Sequence, residues 1–287
     1  MIKRILVIFL VITGVYLIFS NFPVFNWLGF NTANNQSAKI TGKIDSIEVQ
    51  TTSVPTTIIP EDRDDLTVDY DGKGTVNIDQ DGDTIKVDVK GPKFNFFSFN
   101  RKADLKIFIP EDYNRNMELK VGSGTLEFSG PSKENPMELD ELGINISSGK
   151  IELSHITANE IDHKGSSGSV KVDAVQANTG SFDLSSGKLN ITHYSGAVDA
   201  EVSSGEMNIQ IDELTGNSSA KASSGRINLD LPDDASFTLK GKTSSGTISS
   251  EFDLKDEQIS KNRLEGKHGT GKYELDIKVS SGNIRLH

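Results

Sequence analysis

Cysteine is missing from all 287 residues. That excludes a disulfide scaffold, a thiol nucleophile, a Cys-ligated zinc site and a lipoprotein anchor, and it is compatible with an extracytoplasmic location. Aromatic side chains are scarce, at 7% with a single tryptophan, Trp27. Apart from one N-terminal block, long apolar runs are missing too, so the chain is too lean for several membrane spans. Positive charge is short: from residue 31 onward 28 basic residues face 41 acidic ones, a net of −13. A body so charged repels phosphate backbones, and no nucleic-acid partner is expected. Helical periodicity is also lacking, because Gly and Ser are dense and no 3.6-residue pattern survives beyond one turn. Charged and apolar residues nevertheless stay interleaved, which separates the chain from disordered sequences.

The one apolar run lies at the start. After Lys3 and Arg4, residues 5–22 form an 18-residue stretch, and a spanning helix needs about 17–25. Pro23 is a natural stop. Phe22, Phe25, Trp27 and Phe30 suit an aromatic belt at the outer interface. The basic pair predicts a cytoplasmic stub at 1–4, a transmembrane signal anchor at 5–22 and an extracytoplasmic body behind a polar linker at 23–39. A cleaved signal peptide is the competing reading, but no A-x-A-like site follows the run. The expected location is the cell membrane, single-pass, with the N-terminus cytoplasmic.

The body is a repeat. Ser-Ser-Gly followed by alternating apolar residues begins at Ser147, Ser166, Ser185, Ser203, Ser223, Ser244 and Ser280, and a variant, GSGTLEF, begins at Gly122. The marker glycines are spaced by 25, 19, 19, 18, 20, 21 and 36 residues. Two and four residues after each come pairs such as Ile151/Leu153, Leu189/Ile191 and Ile227/Leu229, with Ile248/Ser250 as the exception. Three residues before come Ile146, Leu184 and Val202, with Gly165 and Thr243 as weaker members. This period of two is the mark of half-buried strands. Ser-Ser-Gly is then the corner between short strands, glycine supplying the unusual backbone and serine the small stacked side chains.

The expected fold is therefore all-β: a parallel β-solenoid of about 19 residues per coil with Ser-Ser-Gly corners, behind one N-terminal transmembrane helix. Gly180, Gly196 and Gly216 suggest a second turn per coil. Residues 40–121 alternate less regularly and read as irregular N-terminal coils or a cap, and 122–287 as the regular solenoid. The long last interval is expected to hold an unmarked coil, and 253–268 to be an extruded loop or short helix. Phe94, Phe96, Phe97 and Phe99 read as a packed cap or loop, with a membrane- or partner-contacting patch as the alternative.

The residues that could carry chemistry read as structural. Seven like Ser-Ser-Gly corners argue for shared geometry and against one privileged nucleophile. His155, His163, His193, His268 and His287 read as surface histidines. His155 and His193 both follow a marker glycine by six residues but sit two coils apart, about 10 Å, too far for one metal ion. Asp79, Asp81 and Asp83 have calcium-loop spacing, yet Lys90 stands where an EF-hand requires glutamate, so an Asp-Gly hairpin is the better reading. Catalytic, cofactor-binding and metal-binding residues are each expected to be none.

These motifs resemble the candidate adhesin family of bacterial cell-surface proteins. The resemblance rests on the repeated S-S-G-x-I-x-I strands, IDSIEVQTTSV near the start, IFIP at 107–110 and the closing GTGKYELDIKVSSGNIRL. It covers about residues 40–287. The resemblance implies a β-solenoid ectodomain in cell-envelope stress physiology and brings no catalytic residues with it. The expected partners are the membrane, through the N-terminal helix, and an envelope-stress protein or cell-wall component. A β-helix carbohydrate-active enzyme or an adhesin binding wall polysaccharide is the alternative; a groove holding two or more carboxylates from adjacent coils would favour the enzyme.

Overall fold

The structure, a computed structural model, describes residues 37–72, 74–90 and 103–287. The stub at 1–4, the expected spanning helix at 5–22, most of the linker and the aromatic cluster at 94–99 lie outside the described residues. Among the described residues every regular element is a strand, and all belong to one 14-stranded sheet.

The marker glycines build the centre. Strand β8 (Asn116–Ser129) pairs in parallel with β9 (Met137–Glu213), aligning Gly124 with Gly149, Leu126 with Ile151 and Phe128 with Leu153. Strand β9 is 77 residues of extended chain wound through successive coils. A Cβ added to Gly168 would lie 1.9 Å from the Gly149 carbonyl oxygen, and one on Gly205 1.8 Å from that of Gly187. The marker glycines thus stack backbone on backbone, with φ of +149° at Gly205, where L side chains are strained. Strand β10 (Ser218–Asp230) continues the column, Gly225 opposite Gly205. The rows two and four residues beyond the corners are buried, as alternation requires, at Ile151, Leu153, Leu189, Ile191, Ile227 and Leu229, whereas Ile248 and Ser250 beyond Gly246 are half-buried.

The second turn of the coil differs from its sequence expectation. His155, Ala174 and His193, each six residues after a marker glycine, have φ near +50° (54°, 51° and 50°). Of the glycines expected there, Gly196 alone has positive φ, +144°, and it stacks on the Ala177 carbonyl.

At the C-terminal end chain order and stacking order part. Strand β11 (Phe237–Ser250) does not sit on β10. Strand β14 (Tyr273–Leu286) inserts between them, parallel to both, with Gly282 opposite Gly225 on one side and Gly246 on the other. This corrects the expected unmarked coil. Residues 253–268 are neither loop nor helix: β12 (Lys255–Ser260) and β13 (Arg263–His268) form an antiparallel hairpin along the outer edge of β11. Alternation is lost in β12 because all six of its residues are exposed. Phe252 closes the core here, edge-on to Phe237 at 5.2 Å and to His268 at 4.8 Å.

The N-terminal end repeats the insertion. Strand β2 (Ser46–Thr51) lies between β6 (Thr84–Lys90) and β8, and β3 (Thr56–Glu61) between β7 (Asp104–Pro110) and β8, all parallel. Antiparallel β4 (Asp65–Asp71), β5 (Thr75–Asp81) and β1 (Ser37–Lys39) follow outward. Strand β1 takes the last three residues of the expected linker.

Candidate functional site

The coils expose one flat face just beyond the glycine corner, because residues one, three and five after each glycine point outward when those at two and four point in. Parallel register turns each position into a row across the strands. One row runs Glu206, Arg226, Asn283, Thr247; the next runs Asn208, Asn228, Arg285, Ser249. Over β10, β14, β11 and the last two coils of β9 this face is concave, a groove of about 580 Å³. Thr192, Gln210, Asp230 and His287 complete it.

Several lining groups engage one another. The Asn228 side-chain amide donates to Asn208 Oδ1 at 2.6 Å, and the Thr247 hydroxyl to Asn283 Oδ1 at 2.8 Å. Arg285 pairs with Glu251 at 2.6 Å, His287 approaches Asp230 at 3.6 Å, and Lys188 holds Glu206 at 3.5 Å. The Arg226 side chain is exposed and makes neither an ion pair nor a hydrogen bond among the described residues. The groove therefore offers amide and guanidinium donors beside hydroxyl and carbonyl acceptors, with one carboxylate, Asp230, next to the His287 imidazole.

A second depression, about 330 Å³, lies over Gly143 where β8 meets the first coils of β9. Glu118, Glu141, Glu160 and Asp162 surround it. Lys120 approaches Glu118 at 3.4 Å, Asn145 donates to it at 3.0 Å, and Lys164 pairs with Asp162 at 2.5 Å.

The sequence-singled residues distribute as follows. The corner serines 147 and 148 are exposed. His155 and His193 sit at the same left-handed turn, two coils apart. His193 Nδ1 lies 2.9 Å from Asp173, which also accepts from the Thr192 hydroxyl at 2.7 Å; these two bonds, the His193 contact first, hold the Asp173 carboxyl below its usual range. His155 Nδ1 is 3.4 Å from Ser129 Oγ, whose hydroxyl donates to the Gly130 carbonyl. Asp79, Asp81 and Asp83 belong to the β5–β6 hairpin, whose turn carries Gly82 at φ +65°, and Lys86 holds the Asp81 carboxylate at 2.7 Å. No group of three His, Asp or Glu residues suited to a metal ion occurs among the described residues.

One expectation fails. His163 is no surface histidine: it is 1% exposed, inside the solenoid, and among the described residues neither ring nitrogen has a hydrogen-bond partner. Its ring is 6.4 Å from that of Phe182 in the next coil. Burial pushes its pKa down to about 4, against a weaker upward pull from Asp162. Parity reveals it, since 163 lies five residues before Gly168, two steps back along the inward row that includes Gly165. Gly165 makes room, as a Cβ there would sit 3.0 Å from the imidazole.

With this geometry in view, the chain compares with known proteins as follows. The family model described as Toastrack DUF4097 matches residues 44–287. A solved structure of a candidate adhesin from Bacteroides fragilis is 14% identical, with 88% of this chain and 95% of that one covered and a TM-score of 0.48. A candidate cell-adhesion protein from Clostridium sporogenes is 13% identical, over 87% and 96% of the two chains, with a TM-score of 0.30. No curated protein gives a significant match.

Proposed function

The chain belongs to the Toastrack DUF4097 family, and from that premise we propose that it is a membrane-tethered, extracytoplasmic protein of the bacterial cell envelope that works without catalysis. It displays its solenoid face to a wall component or to a partner protein in the envelope-stress response. The carrying observation is the stack itself. Parallel coils hold a row of polar side chains at fixed intervals on a rigid sheet, which suits extended recognition better than chemistry at one point. The layout of one short N-terminal anchor and a repeated ectodomain resembles that of LiaG, the membrane-anchored protein of a Gram-positive envelope-stress operon. Lys3 and Arg4 orient the anchor with its N-terminus inside.

Tethering keeps the local concentration of the body high at the envelope. Protease added to wall-stripped cells should remove the body, and a secreted form lacking residues 1–30 should lose its effect in an envelope-stress assay. Protection of the body, or full activity of the secreted form, would overturn this reading.

A second reading, a carbohydrate-active enzyme, draws on the acidic depression, where Glu141 and Glu160 come from adjacent coils. Paired carboxylates are the usual equipment of glycoside hydrolysis. Glu141→Gln and Glu160→Gln variants discriminate: under the display reading both keep the in-cell effect, and under the enzyme reading either one abolishes it with the fold intact.

A further inference from the structure

We propose that the groove over the last coils binds an extended, β-linked acidic glycan lying along the solenoid axis, one sugar residue to each strand. The inference deepens the surface-display reading and rests on it. Five strand segments, two of them coils of β9, contribute to the groove, and four spacings of about 4.8 Å make a path of about 19 Å. The strand spacing is close to the rise of one pyranose ring in an extended β-linked chain. A glycan laid across the strands therefore meets the same position of successive coils at each residue.

The side chains along that path match such a chain. Sugar hydroxyls both donate and accept, and need partners that do the same. Asn208 and Asn228 stand in one row, linked amide to amide at 2.6 Å. That link uses one donor of Asn228 and one acceptor site of Asn208, leaving the opposite halves of both amides for a ligand. Gln210 and Asn283 flank this row and extend the amide surface.

Charge decides between a neutral and an acidic chain. Arg226 stands one position before Asn228 on the same outward face, exposed. Glu206, its lateral neighbour, is held by Lys188 at 3.5 Å, and the other groove arginine, Arg285, is held by Glu251 at 2.6 Å. Arg226 has no such partner among the described residues. In a body of net −13 this guanidinium, set between Asn283 and a Glu206 already engaged by Lys188, and with the groove's Asp230 beside His287, is matched to a carboxylate carried on a polyhydroxylated chain.

The test uses the intact chain in detergent micelles and titration calorimetry with two oligosaccharides of equal length, the β-1,4-linked glucuronate hexamer and cellohexaose. The glucuronate hexamer should bind about tenfold or more tightly than cellohexaose, the worth of one charge-assisted hydrogen bond. Arg226→Gln should remove that preference. Asn228→Ala should weaken both sugars alike, and Lys171→Gln, on the same face but outside the groove, should leave both unchanged. Because these side chains face solvent, unchanged melting temperatures verify folding. Failure of the hexamer to bind, or binding indifferent to Arg226→Gln, overturns the inference. Tripolyphosphate binding as tightly as the hexamer also overturns it, since the groove would then take any anion. These outcomes leave the display reading standing, because that reading is tested in cells by removing the tether.

Discussion

The middle of the solenoid and its two ends follow different rules. In the middle, chain order is stacking order: Gly149, Gly168, Gly187, Gly205 and Gly225 lie one upon the next. At the ends the two orders separate, with β14 slipped between β10 and β11, and β2 and β3 slipped between β8 and the later β6 and β7. Beyond each insertion the sheet turns antiparallel. A periodic stack always exposes a fresh edge able to pair with another chain, so a repeat can set length but cannot end itself. Here termination comes from breaking the repeat. Strand β12, the outermost, has every residue exposed and a register irregularity between Lys255 and Gln258.

The largest effect should come from removing the inserted strand. Truncation after Lys272 strips β14 from two neighbours at once and deletes five buried apolar side chains: Leu275, Ile277, Val279, Ile284 and Leu286. At about 1.5–3 kcal/mol each the loss is about 7–15 kcal/mol, comparable to the whole stability of a domain. Hydrogen exchange should show the amides of β10 and β11 that face β14 unprotected, since their other sides still pair with β9 and β13. If instead both kept their protection, they could pair directly, and the insertion would be dispensable.

A smaller contrast separates two glycines that share a backbone conformation but not a neighbourhood. Gly124 (φ +129°) faces the inserted N-terminal coil, where an added Cβ would lie 3.6 Å from the Val54 carbonyl; at Gly205 (φ +149°) the contact is 1.8 Å from another backbone oxygen. Gly124→Ala should cost about 1–3 kcal/mol from strain alone, and Gly205→Ala about 2 kcal/mol more, because the stacked backbone must move. Urea midpoints measure both. Equal losses would mean that spacing between coils is as tight at the inserted N-terminal coil as in the middle.

His163 should make the middle acid-sensitive. In the fold the imidazole is buried and neutral, with a pKa lowered to about 4 from 6.5. The unfolded chain therefore binds more protons between those values, and stability is lost as pH falls from 6.5 toward 4. The loss is about 3 kcal/mol at most. His163→Leu should flatten this part of the pH profile while leaving stability at pH 7 equal or greater. A profile unchanged by the substitution would move the acid sensitivity elsewhere.

The same contrast explains what could be read from the sequence. Ser-Ser-Gly and its alternating residues made the coil, its corner and its inward rows legible, because each was printed several times at fixed spacing. The order of stacking was not legible at the ends. SSGTISS and SSGNIRL carry the same marker, and nothing local says that the later one lies inside the earlier one. Strand pairing is a long-range choice, and here it follows which edge is left open. The left-handed turns at His155, Ala174 and His193 escaped because histidine and alanine, and no glycine, occupy that position. The groove escaped for another reason. Its rows join residues as far apart as Arg226 and Asn283, and they become neighbours through the inserted strand.

The smallest effect should be a charge reversal on the regular outer face. Glu206 points outward beside Gly205, and its pair with Lys188 at 3.5 Å joins two partly exposed side chains. Water and salt screen such a pair, and the ordering of two flexible side chains offsets most of its attraction. Glu206→Lys should therefore shift stability by less than about 0.5 kcal/mol, one position from a glycine whose replacement costs several times more. The inward and outward sides of a single corner are what this pair of substitutions compares. A melting temperature lowered as far by Glu206→Lys as by Gly205→Ala would mean that residue 206 does not face solvent. The register of the rows, and the groove built on it, would then be shifted by one residue.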